Sequence, residues 1–374
     1  LRYRGEVVLN SDYGAPERNL RAVVAFADEP QLDRLRQQLW QASGATVPPR
    51  VFYARRPGSP RQLMLLLTDD HGWLGNVRDD SARDNSGPAG YRGSGEPSAR
   101  AILGLPISVS VEPVTFTLSG DPGCAVALLG EGRDDALGVL GSAALSLSVS
   151  RRHSNPELPP ARYVLLDGIG GARHSAELTT LAQTLRSRGH EVELVPVAGI
   201  GERLIALEQE LQTRLGGTEQ ELQTRLGGSD FGGSETPARS ADGNGETYII
   251  GAGLHRASRL AAPTMAGAVP AQTLAQLVRE GPLVGMHLLA WWNSARIFTE
   301  QLGYEAAPLV AGVVFLRAPE ADVQALCGPY LRFNPQLHRA LFVDRGSGGA
   351  PVELVPFGSL QPDQAEVVAA GGSR

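Results

Sequence analysis

Ala125-Val-Ala-Leu-Leu129, Gly130-Glu-Gly-Arg-Asp-Asp135 and Ala136-Leu-Gly-Val-Leu140 follow one another without a break. The order is that of an apolar strand, a glycine-bearing loop and an apolar helix, the helix expected over 136–149. A loop that holds a nucleotide triphosphate in this setting reads G-x-x-x-x-G-K-[ST]. Its amide N–H groups and ammonium cradle the phosphates, and its hydroxyl holds Mg²⁺. Counted from Gly130, the second glycine, the lysine and the hydroxyl are replaced by Asp135, Ala136 and Leu137. The pair Asp134 and Asp135 is expected to face the place of the triphosphate, where like charges at close range repel by roughly several kcal/mol. Such a loop keeps the frame of a phosphate site and lacks its chemistry.

Composition sharpens the point. All 34 basic side chains counted as Lys+Arg are arginine, so no lysine elsewhere can replace the missing one. Use of a GC-rich code explains a general lack of lysine, but selection for hydrolysis keeps one in the loop. A length of 374 residues with 42% hydrophobic content suffices for one large or two ordinary domains. The net charge of −6 excludes a chain that coats nucleic acid by electrostatics alone and leaves local DNA contacts open. Cys124 and Cys327 suggest no disulfide framework. The lack of a disulfide framework suits a reducing cytosol, and no apolar run here is long enough to span a bilayer.

From its first residue the chain reads as a piece of something longer. Gly5–Asn10 and Leu20–Ala27 are expected strands of a ribbon, followed by an amphipathic helix over Gln31–Gln41 and a short strand at Val51–Tyr53. Gln62–Thr68 is a further apolar run. Residues 69–100 are rich in Asp, Arg, Ser, Gly and Asn and too poor in apolar groups to fix a structure. They read as a linker, with a nucleic-acid arm as the alternative for its arginines. Ile107–Glu112 and Val114–Leu118 alternate like half-buried strands. Beyond the glycine loop, strands are expected at Arg162–Asp167, Glu191–Val197, Thr247–Ile250, Met286–Trp292 and Leu309–Leu316. Helices are expected from an N-cap at Ser175, and over Gly201–Leu215, Ala271–Glu280, Ser294–Leu302 and Glu320–Cys327. A hairpin, Arg339–Asp344 with Val352–Phe357, closes the chain. Strands alternating with helices imply a mainly parallel sheet covered on both faces.

The decapeptide Glu208–Gly217 recurs unchanged as Glu219–Gly228. A recent duplication and a partner-binding helix both account for it, and each terminal Gly-Gly pair opposes a continuing helix by about 1 kcal/mol per glycine. Residues 216–245 are expected as a disordered insertion.

The alternation and four strings resemble the RecA-like ATPase modules of the FtsK/SpoIIIE and HerA superfamily of DNA translocases, and in particular a degenerate last module. The strings are Gly130–Gly138 at the Walker A place, Tyr163–Gly168 at the second core strand, Tyr248–Arg256 at the Walker B strand, and Glu280–Ala290 at the glycine-histidine strand. The resemblance implies a RecA-like P-loop fold and a degenerate nucleotide loop made of Gly130, Gly132, Arg133, Asp135, Ala136 and Leu137. Gly251 and Ala252 stand where acids would hold Mg²⁺ and water, and Asn293 stands at the sensor place. No catalytic residue and no metal ligand is expected, so this part is a pseudo-ATPase whose parent uses ATP and Mg²⁺. The resemblance divides the chain into strands and helix of a preceding module at 1–57, a linker at 58–100, the degenerate module at 101–357 and a tail at 358–374. The expected role is structural or regulatory within an ATP-dependent DNA translocase, with neighbouring modules and DNA as partners. The resemblance also implies a bacterial-type cytoplasmic setting, with the parent protein free to be membrane-attached. A module of a type VII secretion-like motor is the alternative, and a nucleotide-binding domain without hydrolysis another.

Several side chains carry two readings. Arg133 either holds a phosphate or pairs on the surface with Asp134 or Asp135. His255 and His287 are placed near the carboxyl ends of the strands, as packed or turn histidines rather than zinc ligands. Of Trp291 and Trp292, strand alternation predicts one buried and one displayed. Gly168–Arg173 and Gly251–Arg256 are partial matches to a dinucleotide fingerprint and fit tight turns equally.

Overall fold

The computed structural model describes residues 5–10, 18–24, 28–44, 56–68, 99–107, 112–154, 159–170, 174–227, 245–257, 260, 262, 263, 267 and 269–361. The chain divides into two units, Leu1–Phe52 and Tyr53–Arg374. In the first, β1 (Glu6–Leu9) pairs antiparallel with β2 (Leu20–Val23), and α1 covers Glu29–Ser43. A capping box starts α1: the Asp28 side chain accepts from Gln31 N–H, and the Gln31 side chain accepts from Asp28 N–H. The expected strand at Val51–Tyr53 lies outside the described residues.

The second unit opens with α2 (Pro60–Thr68), then β3 (Ala99–Pro106), β4 (Val114–Leu118), β5 (Val126–Leu129) and α3 (Arg133–Ser154). It continues through β6 (Arg162–Asp167), α4 (Ala176–Ser187), β7 (Glu191–Pro196), α5 (Ile200–Gly227), β8 (Thr247–Ala252) and α6 (Pro270–Arg279). β9 (Met286–Trp292), α7 (Ala295–Leu302), β10 (Gly312–Leu316), α8 (Glu320–Cys327), β11 (Ala340–Asp344) and β12 (Val352–Val355) complete it. Ten strands form one sheet in the order β4-β3-β12-β11-β10-β5-β9-β8-β6-β7. The run from β10 to β7 is parallel and the run from β4 to β10 antiparallel. Numbered from the strand before the glycine loop, the eight strands β5–β12 lie in the order 3-2-4-5-1-6-7-8. This is the mainly parallel, RecA-like sheet with a closing hairpin that the resemblance implies, and β5 sits near its middle.

Helices bury the sheet on both faces. One layer is built on Leu128, Leu140, Leu165, Leu181 and Tyr248, the other on Leu129, Leu166, Leu204, Ile249 and Phe298. Because both faces are covered, Trp291 and Trp292 are both buried, and neither is displayed as alternation alone predicts. His287 is the second residue of β9, at the amino end of the strand and not near its carboxyl end, with Nδ1 3.4 Å from the Cys124 carbonyl oxygen.

Four further expectations change. The linker is narrower than 58–100: α2 places Leu63, Met64 and Leu67 in the core, β3 begins at Ala99, and residues 69–98 lie outside the described residues. Ile107 and Glu112 are not in a strand; the strand before β4 is Ala99–Pro106, a continuous buried run without the alternation that marks an edge. Helix α5 runs on through Gly216 and Gly217 to Gly227, so the insertion expected from 216 is helical over its first twelve residues. The remainder, 228–244, lies outside the described residues. The loop after β5 is the fourth change.

Candidate functional site

The candidate site is the rim where β10, β5, β9, β8 and β6 end, since ligands of parallel sheets bind beyond their carboxyl ends. Strand β5 stops at Leu129 and helix α3 starts at Arg133, so the loop is Gly130-Glu131-Gly132 and not 130–135. The first helical bond, from Ala136 N–H to Gly132 O at 2.8 Å, sets that start. Asp134 and Asp135 thus lie in the first turn of α3, where the helix dipole favours acids. A three-residue connection is too short to wrap a phosphate in successive amides.

Gly130, the first residue of the loop, is already engaged through both of its backbone groups. Gly130 N–H donates to Trp292 O at 3.0 Å, and Trp291 Nε1–H donates to Gly130 O at 2.9 Å. Gly130 has φ +114°, and a methyl group there would stand 1.8 Å from Leu316 O, so only glycine fits. Over Gly132 lies the Arg317 guanidinium, 3.3 Å from where a side chain would begin, with Asp135 Oδ2 3.4 Å from the same point.

The two carboxylates part company. Asp134 is exposed and 3.5 Å from Arg133 Nη1, whereas Asp135 is buried and 2.8 Å from His338 Nδ1. Arg133 pairs with Asp134 on the surface, as one of its two readings expects, and its Nη2 also binds both oxygens of Glu177 on α4, at 2.9 and 3.0 Å. Ala136 and Leu137 are buried in the core beneath the loop.

The neighbouring strand ends are closed in the same way. Asp167 is fully buried, and its two oxygens accept from Gly170 N–H at 2.7 Å and Ser175 N–H at 2.6 Å. It organises the turn into α4, which begins after Ser175 without a side-chain cap. Gly251 and Ala252 are buried within β8 and offer no oxygen ligand; a methyl on Gly251 would press on Ala290 and Leu254. Asn293 is exposed and its backbone N–H donates to His255 Nδ1 at 3.2 Å. Burial first and Arg256 second lower the His255 pKa below its ordinary 6.5, in keeping with a ring nitrogen that accepts a hydrogen bond. Among the described residues no group of three His, Cys, Asp or Glu side chains is placed to hold a metal, and no helix is long and apolar enough to cross a membrane.

Several residues expected at this rim are held by other parts of the fold: Gly130 by Trp291 and Trp292, Arg133 by Glu177, Asp135 by His338 and Asn293 by His255. A cleft of about 200 Å³, open to solvent, lies between α3 and α4 and is lined by Leu137, Gly141, Glu177, Leu178, Leu181 and Leu360. It is shallow and mostly apolar, with too little enclosed space to bury a ligand. Sequence reasoning missed Arg317 and His338, which reach the loop from just past β10 and from the segment before β11, far along the chain and with no local motif.

Strand order and loop position together decide the class. The fold is that of a RecA-like P-loop ATPase. No protein-family model matches the chain, and no curated protein matches it as a relative. Solved structures similar to it include the cytoplasmic domain of the type VII secretion ATPase EccC of Thermomonospora curvata, at 17% identity and a TM-score of 0.46, covering 71% of this chain and 27% of that one. EssC ATPases 2 and 3 of Geobacillus thermodenitrificans are similar at 12% identity and a TM-score of 0.49, over 87% of this chain and 51% of that one. The pCW3 conjugation coupling protein TcpA, solved as a monomer with ATPγS, is similar at 14% identity and a TM-score of 0.47, over 74% and 71%. The likeness is one of fold, and this chain spans about a quarter of the EccC domain and about half of the EssC one.

Proposed function

We propose that this RecA-like unit is a non-hydrolysing module of an FtsK/HerA-like, ATP-dependent motor acting on DNA, serving to brace or regulate neighbouring ATPase modules. The observation that carries the reading is the three-residue loop between β5 and α3, whose first residue, Gly130, is bonded through its amide to Trp292 and through its carbonyl to Trp291. A pocket that had merely lost its lysine would keep the longer loop. Here the wall itself has been rebuilt, with Asp135 turned inward to His338 and glycine and alanine at the metal-binding places. ATP and Mg²⁺ belong, on this reading, to other modules of the parent protein, and the proposed setting is the bacterial-type cytoplasm.

Titration calorimetry of the chain with ATP and Mg²⁺ is expected to give no saturable heat up to millimolar nucleotide. Micromolar binding, or phosphate release above a buffer control, overturns the reading. The similarity in fold to EccC and EssC supports the second reading, a module in a secretion-type motor. ATPase assays on the parent protein separate the two: stimulation by duplex DNA favours the translocase, and stimulation only by an exported protein favours secretion.

A further inference from the structure

Helix α5 carries an eleven-residue pattern beyond the literal duplication. Ile200-Gly-Glu-Arg-Leu-Ile-Ala-Leu-Glu-Gln-Glu210, Leu211-Gln-Thr-Arg-Leu-Gly-Gly-Thr-Glu-Gln-Glu221 and Leu222-Gln-Thr-Arg-Leu-Gly-Gly228 align without a gap. The helix docks through the first of these and the start of the second. Ile200, Leu204, Leu207 and Leu211 are fully buried, in the core that holds Val164, Ile249, Leu274 and Leu277. Arg203 Nε lies 2.8 Å from Glu193, and Glu210 binds Arg162 Nη1 at 3.0 Å and Arg214 Nη2 at 2.7 Å. Glu208 accepts from Thr273 Oγ1 at 3.0 Å. Past Leu215 the helix leaves this seat: among the described residues, a methyl group on Gly216 or Gly217 would meet no atom within 4 Å.

Eleven residues are almost three whole turns, so moving the helix by one repeat returns its backbone to nearly the same rotational setting about 16 Å along the axis. The seat would then be filled like for like. Leu211 takes the place of Ile200, Arg214 that of Arg203, Leu215 that of Leu204, Glu221 that of Glu210 and Leu222 that of Leu211. Among the fully buried places one is worse served, Leu207 giving way to Thr218, and half-buried Ile205 gives way to Gly216; these losses make the observed register the ground state. The displaced residues join the connection after β7, at an entropic cost that grows only as the logarithm of loop length.

We propose that α5 has two docking registers one repeat apart, a ratchet that shortens or lengthens the helix projecting from the body. It stands independently of the motor reading. Two measurements on the full chain test it. In a double-mutant cycle, Glu210→Lys strips the acid from the observed register and Glu221→Lys from the shifted one. Alone, Glu221→Lys is expected to leave Tm unchanged; in the Glu210→Lys background it is expected to lower Tm further by about 3 °C or more. Strict additivity overturns the proposal.

The second measurement survives a failure of Glu210→Lys to fold. Spin labels at Gln212 and Gln272, both exposed, are introduced as cysteines with Cys327→Ser, buried Cys124 being left in place. Thr218→Leu repairs the mismatch at the fully buried place, so a second distance population is expected to rise several-fold in that variant. A single distance with and without Thr218→Leu overturns the proposal.

Discussion

Asp135 shows how one side chain can both abolish a site and secure a fold. It stands where a phosphate loop has its second glycine, yet it is buried and bonded to His338, 203 residues away in sequence. Replacing Asp135 with Ala strands the imidazole Nδ1 in a half-buried place and is expected to cost about 1–3 kcal/mol in a urea titration. Arg133→Ala breaks a pair whose arginine is half exposed, and the expected loss is below about 1 kcal/mol. His255 adds a pH dependence of known sign. Its folded-state pKa lies below 6.5, so from about that pH downward the unfolded chain takes up its proton more readily than the folded one. Stability is therefore full above pH 6.5 and falls as the pH drops toward the folded value. Thermal melts between pH 7.5 and 5 are expected to show a smaller decline for His255→Gln than for the natural chain; equal declines contradict the assignment.

Among the elements, α3 does the work of a missing strand. β3 pairs with β12 at Leu105 and Pro106, and among the described residues the backbone of its first half has no strand partner on that side. Ser146 Oγ accepts from Ile102 N–H at 2.8 Å, Ser142 Oγ–H donates to Ile102 O at 2.8 Å, and Ser150 Oγ accepts from Arg100 N–H at 3.2 Å. Spaced four apart on one helix face, the three hydroxyls form a ladder. Ser146→Ala leaves a buried amide unsatisfied and is expected to cost about 1–3 kcal/mol, while Ser146→Thr, which keeps the hydroxyl, costs less. The close approach of this helix also explains Gly138, where a methyl group would stand 1.8 Å from Phe357 O. Much of this architecture was legible in advance. β6, β9 and α8 have the predicted ends because apolar runs there are bounded by clear breakers, and the central place of β5 follows from its unbroken apolar character. The glycine loop was misread in length because Asp134 and Asp135 look like loop residues, although acids suit a first helical turn equally well. The continuation of α5 through two glycines was hidden because tertiary docking of Ile200–Leu211 outweighs a local penalty. His338 and Arg317 were invisible because only the folded topology brings them to the loop.

At the scale of the whole molecule, the sheet joins two kinds of neighbourhood. From β10 to β7 the strands are parallel and linked by helices, and each βαβ connection closes over a modest stretch of chain. From β4 to β11 the order depends on β12, which is inserted between β3 and β11 and pairs Leu354 with Pro106. Phe357 beyond it is buried, with Gly58 N–H donating to Pro356 O at 2.9 Å and Gly358 N–H to Gly58 O at 2.7 Å. The last strand therefore ties the start of this unit to its end, and a contact of such long range forms late because loop closure must come before its reward. Pulse-labelled hydrogen exchange during refolding is expected to protect the amides of β6, β8 and β9 before those of β3 and β4. Truncation after Gly349 removes β12 and is expected to leave β3 and β4 unprotected at equilibrium while the parallel strands keep measurable protection. Simultaneous protection of all ten strands in the natural chain would show that the sheet forms as one cooperative unit, and it would remove the distinction between its halves.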